Sequence, residues 1–300
     1  MNEVDGMSGV ASVVQRLAVL LGAGVTPAAA WGYLDQVGVV SAVAGVIDSG
    51  MPIPAAIAGA TNGLARTEAF AWRGLATAWS VATDAGAPLA PTLREFAASL
   101  RDLAAAHREI RVALAAPVAT ARLVMALPAV GVLFGMLLGF NTIGTLATTP
   151  TGWGCVALGA VLMFGAARWN RRLVRKAQPT ELTPGLEFDL VAIAVSGGGS
   201  LDRATATVAD AMQTYLGRAP GSGVDDVLDL SRRAGVPAAE LLRSEATELR
   251  RQARTDAQER AQSLSVRLMI PLGVCVLPAF MILGVVPMVV AVIRSTAISL

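Results

Sequence analysis

From residue 123 to residue 167 the chain carries no charged side chain, although Arg122 and Arg168 flank the run immediately. A membrane-crossing helix needs about 20 apolar residues, because the hydrocarbon core is about 30 Å thick and each helical residue rises about 1.5 Å. The run therefore has room for two crossings and a reversal. One span is expected at about 123–142 and another at about 153–167, joined by the polar, turn-rich segment 141–152, which holds Asn141, Pro150 and Gly152. A mean hydropathy of +0.58 with only 15% charged residues agrees with a membrane protein.

The charges are confined to particular stretches. They fill 1–122 and 168–267, and a further uncharged run covers 268–293. The expected architecture is all-α: two water-facing helical-bundle domains (1–122 and 168–267), a transmembrane hairpin (123–167), a third transmembrane helix (268–293) and a short tail (294–300). Arg168, Arg171, Arg172, Arg175 and Lys176 follow the second span; Arg122 precedes the first and Arg267 the third. The hairpin turn has no charge, and the tail carries only Arg294. The positive-inside rule then places both large domains in the cytoplasm of a multi-pass protein, with the C-terminus outside. Arginines beside spans and interleaved with acids elsewhere do not point to nucleic acid. Glu3 and Asp5 with no early basic residue argue against a signal peptide at the N-terminus.

Helical periodicity is clear from Val14, with Leu17, Leu20 and Leu21 on one face and Gly22 and Gly24 as the stop. Thr26-Pro27 reads as an N-cap with proline at the first helical position, opening a helix to about residue 37. The alanine- and glycine-rich stretch 39–65 is interrupted by Asp48-Ser49-Gly50, Pro52 and Pro54, which favours short buried helices over a span. Further helices are expected at 70–83, from 92 towards the membrane with Pro117 as a kink, at 186–195, 200–215 and 224–233, and from Pro237 to about 264.

Those helices repeat. Ala85-Gly86-Ala87-Pro88 returns as Ala234-Gly235-Val236-Pro237, an offset of 149 (235 minus 86), and Leu93-Arg94, Ala97 and Leu100-Arg101 return as Leu242-Arg243, Ala246 and Leu249-Arg250. Before the first span the offset is 145 (267 minus 122), Ala121-Arg122-Leu123 matching Val266-Arg267-Leu268. Upstream, the segment from Gly24 to Ala30 corresponds to that from Gly198 to Ala204, an offset of 174 (198 minus 24). The difference of 25 (174 minus 149) is the alanine-rich stretch of the first copy.

A duplicated helical domain with spans after each copy resembles the F-type platform proteins of type II secretion and type IV pilus machines. The segment 14–24 is similar to the opening of that family's domain, and 268–280 with Pro271, Pro278 and Pro287 looks like its tight-adherence (Tad/Flp pilus) branch. Thr83-Asp84 and Arg232-Arg233 stand where other branches carry a Gly-Glu pair. The resemblance implies a non-enzymatic role in the cytoplasmic (inner) membrane, coupling a hexameric assembly ATPase to extraction of pilin-like subunits. A second platform protein and homo- or hetero-oligomers are implied partners. Candidate partner contacts are the duplicated corners Gly86 and Gly235 with Arg94 and Arg243.

Catalytic and cofactor constellations are missing. Lys176 is the only lysine and has no phosphate-loop glycines before it; His107 is the only histidine, and Cys155 and Cys275 both lie in expected spans. No catalytic, cofactor or metal residue is assigned. Gly131, Gly135 and Gly139 form a small-residue face for helix packing in lipid. A permease subunit of a small-solute transporter is the alternative reading; the spans, thiols aside, lack the ionisable groups that coupled transporters keep.

Overall fold

The computed structural model describes residues 3–34, 38–137, 150–177, 184–221, 223–286 and 289, and among these every regular element is helical. In order they are α1 (Glu3–Gly22), α2 (Pro27–Tyr33), α3 (Val39–Asp48), α4 (Ile53–Gly59), α5 (Arg66–Ala85), α6 (Leu89–Met125), α7 (Leu127–Leu137) and α8 (Pro150–Ala177). The second copy supplies α9 (Leu186–Ser196), α10 (Leu201–Leu216), α11 (Gly223–Ala234) and α12 (Ala238–Pro271), which continues through Leu272–Val276, α13 (Leu277–Phe280) and Met281–Val285. The two unlabelled turns are π-helical. Each follows within a few residues of a proline, Pro271 or Pro278, whose missing N–H interrupts the regular ladder.

Contacts divide the chain into two units: residues 1–108 with 180–254, and residues 109–179 with 255–300. The sequence reading sets 1–122 and 168–267 apart as separate domains; in the structure the helices of both copies share one buried core. Leu17, Trp31 and Leu75 of the first copy and Leu190, Met212 and Leu242 of the second belong to it. α5 is its centre and packs on α1, α4, α9 and α10. Trp31 stands between Trp72 and Trp79, each pair of rings 6.3 Å apart and tilted. The end of α9 comes so close to α5 that a Cβ on Gly197 would lie 2.0 Å from the carbonyl oxygen of Ala85. Only glycine fits there.

Several boundaries differ from the sequence reading. α1 starts at Glu3 rather than near Val14, and Met7, Val10 and Ala11 extend its buried stripe. Gly6 is tolerated inside this helix because Glu68 packs against it, with a built Cβ 3.0 Å from that side chain. α6 runs without interruption through residue 117, and the break falls at Ala126, two residues before Pro128. Pro27 is the first residue of α2, but Thr26 makes no side-chain cap. The stretch 39–65 forms α3 and α4, whose Val43 and Ile57 reach the core.

In the second unit, α7 packs on the terminal helical segment 277–285. A Cβ on Gly131 would lie 2.7 Å from the Phe280 ring and 3.7 Å from the Cα of Gly284. α8 packs on the same segment, a Cβ on Gly159 falling 2.5 Å from Leu283. The outside is apolar: Val130, Leu133, Phe134, Val161, Phe164, Val274 and Leu277 are all exposed, an arrangement suited to lipid rather than water. Two described helices, covering Gly152–Arg175 and Ala238–Val285, are long and apolar enough to cross a membrane. The expected first span is described only as far as Leu137, so its remainder, Gly139 and most of the turn lie outside the described residues.

The duplicated arginine corners

The repeat read from the sequence is also a repeat of contacts. Gly24 and Gly198 both have positive φ, 88° and 85°, and Gly86 and Gly235 match at 72° and 67°. Gly24 and Gly86 each close their helix with the paired bonds of a Schellman motif: Val25 N–H to the Leu20 carbonyl, and Ala87 N–H to that of Ala82. Gly235 donates to the carbonyl of Ser231, whose hydroxyl in turn donates to the carbonyl of Val236. Leu93 and Leu242 are fully buried, as are Ala97 and Ala246.

The arginines that follow take equivalent places. Arg94 lies over the last turn of α1, one Nη only 2.6 Å from where a Cβ on Gly22 would stand. Arg243 reaches the last turn of α9, donating to the Ser196 hydroxyl at 3.4 Å. Gly22 and Ser196 are themselves 174 apart (196 minus 22). Each guanidinium thus sits at a helix C-terminus, where the unsatisfied carbonyls concentrate negative potential. Arg243 also pairs with Glu95 of α6 at 3.2 Å, a bridge between the copies.

Two turns further on, seven residues along each helix, the pattern recurs. Arg101 donates to the Gln15 side chain at 2.9 Å, and Arg250 pairs with Asp189; residue 15 plus the same 174 is residue 189. The second pair is the more buried, with 16% and 19% of the side chains exposed. Ser99 donates to the same Asp189 carboxylate at 3.2 Å. Burial pushes the Asp189 carboxyl above its usual range, while the charge and hydrogen bond of Arg250 and the Ser99 hydroxyl pull it down. Beside it is a cavity of about 10 Å³ lined by Phe96, Leu186 and Arg250, the size of one water.

Sequence reasoning placed Gly86, Arg94, Gly235 and Arg243 as a set, and the structure gives each copy the same glycine-then-arginine corner. The glycines cap helices, and the arginines set each α6-type helix against an α1-type helix, Arg94 exposed and Arg243 half-buried. Asp189 was not singled out. It shares the run Leu186–Ser196 with a second acid, Glu187, and only the fold shows which of the two is enclosed. Gly131 packs within the chain, and Gly135 lies in α7. Among the described residues no group of His, Cys, Asp and Glu could hold a metal ion.

Comparison with known proteins adds one finding. The family model described as Type II secretion system (T2SS), protein F matches residues 13–137 and again residues 180–286. The two matches end as far apart as Gly86 and Gly235. No curated protein and no solved structure matches the chain.

Proposed function

The chain belongs to the type II secretion system protein F family, and we propose from that membership that it is an inner-membrane platform protein of a type II secretion or type IV pilus machine. In the finer form of this reading it serves a tight-adherence pilus and couples a cytoplasmic hexameric ATPase to the extraction of pilin-like subunits. The observation that carries it is the doubled family domain, each copy ending in a long helix that leads to an apolar segment. The boundary between the compact units falls inside both of these helices, at 108/109 in α6 and 254/255 in α12. A push or turn applied to the core of the first unit then has two covalent routes towards the membrane. In this reading the chain crosses the bilayer three times, with the arginine-rich ends in the cytoplasm. The exposed corners around Arg94 and Arg243 are where the ATPase or a second platform protein docks.

The deciding experiment is purification of the full chain from its own membranes after in-cell cross-linking, with mass spectrometry of the captured proteins. An assembly ATPase and pilin-like subunits are the expected companions. Enrichment of a substrate-binding protein with a transport ATPase would overturn the reading in favour of a permease subunit. A reporter fused after residue 300 should be active outside the cytoplasm; activity inside would refute the three-span topology.

A further inference from the structure

Five basic residues follow the apolar part of α8, and they do not all face the same way. Arg168, Arg171 and Arg175, spaced i, i+3 and i+7, line one cavity of about 700 Å³ within the second unit. Arg122 of α6 lines it too. Among the described residues no acid lines this cavity, and the sequence holds none between Glu109 and Glu181. Like charges three and four residues apart on a helix repel, so four guanidinium groups around one space call for an anion. The cavity has a second unanswered group. Asn170 lines it, is 5% exposed, and its side-chain carbonyl oxygen is buried with no hydrogen-bond partner. An unpaired buried acceptor calls for a hydroxyl or N–H donor.

The depth of the cavity narrows the identity of the ligand. Trp153 and Trp169 are both exposed on α8 and about 24 Å apart along it by helical rise. Exposed tryptophans at that separation mark the two interfaces of a bilayer. Trp169 falls in sequence between the cavity residues Arg168 and Asn170, whereas Phe164, about one and a half turns towards the apolar middle, lines the cavity and is exposed. A ligand there meets guanidinium groups at one end and hydrocarbon at the other.

We propose that this cavity binds an anionic phospholipid whose headgroup carries hydroxyls, of the phosphatidylglycerol type. The phosphodiester is held by Arg122, Arg168, Arg171 and Arg175, and a headgroup hydroxyl donates to Asn170. Basic pockets between membrane helices recognise anionic headgroups by the same chemistry. The proposal rests on the membrane reading above, which is tested separately by whether carbonate-washed membranes retain the full chain.

The test titrates the purified full chain in neutral detergent, by native mass spectrometry, with dioleoyl phosphatidylglycerol, phosphatidic acid, phosphatidylcholine and inorganic phosphate. Phosphatidylglycerol should bind at least tenfold tighter than phosphatidylcholine. Arg168→Gln with Arg171→Gln should remove that preference, as should the milder Arg175→Gln in part, while Arg203→Gln with Arg233→Gln in the first unit leaves it unchanged. Asn170→Leu should erase the preference for phosphatidylglycerol over phosphatidic acid. Equal binding of the neutral lipid, or unchanged preference in both arginine variants, would overturn the site. Displacement of the lipid by millimolar inorganic phosphate would reassign it to a free anion.

Discussion

At the scale of single residues, the corner glycines and the buried acid make opposite demands. Gly86 and Gly235 hold φ near +70°, where a Cβ meets the following carbonyl and costs about 1 kcal/mol. Gly86→Ala and Gly235→Ala should each lower stability by about that amount in thermal or chemical denaturation, with asparagine costing less. Asp189 responds to pH. Its carboxyl is raised above the ordinary 3.8 in the fold, so the folded state binds the proton more tightly than the unfolded chain. The stability that comes from this is present below 3.8 and is lost as pH rises through the raised value. Measured against Asp189→Asn, the native protein should therefore lose stability as pH climbs above about 4. Asp189→Ala, which leaves Arg250 with no acceptor in a half-closed site, should cost about 3 kcal/mol at neutral pH. The paired glycine-arginine corners were legible because both copies print them at one offset. Asp189 was hidden because nothing in a sequence announces which acid a folded core will enclose.

At the scale of elements, glycines within helices sort into those that packing requires and those it does not. A Cβ on Gly159 collides with Leu283, whereas one on Gly154 meets nothing within 4 Å. Gly159→Val should destabilise the second unit by about 1–3 kcal/mol through overpacking. Gly154→Ala should be neutral, or stabilising by up to about 1 kcal/mol from helix propensity; thermal melts in detergent read both. Helix identity was largely evident from periodicity, but ends were not. The first turns of α1 were missed because apolar periodicity is clear only from Val14, while the contact Gly6 makes is with Glu68, far away in sequence. Pro117 read as a kink, yet the helix continues past it and yields at Ala126, where Pro128 withholds the N–H that would have bonded to Val124.

At the scale of the whole molecule, amphipathic stripes reveal which face of a helix is buried and say nothing of what lies opposite. The two copies therefore read as successive domains, whereas α5 of the first packs on α9 and α10 of the second. A fragment ending at residue 108, or one covering 180–254, should not unfold cooperatively alone, and mixing the two should restore a sharp transition followed by circular dichroism. Cooperative melting of either fragment by itself would contradict the shared core. The mutual packing of the copies also bears on how such a chain arises. An unfused ancestor of one copy would have needed a second molecule to cover its apolar face, meeting it only at its bulk concentration. Joined in one chain, the copies see each other at an effective concentration on the order of millimolar. With association no longer limiting, one half can drift from the other, and the second copy, 25 residues (174 minus 149) shorter between its glycine corners, is what that freedom permits.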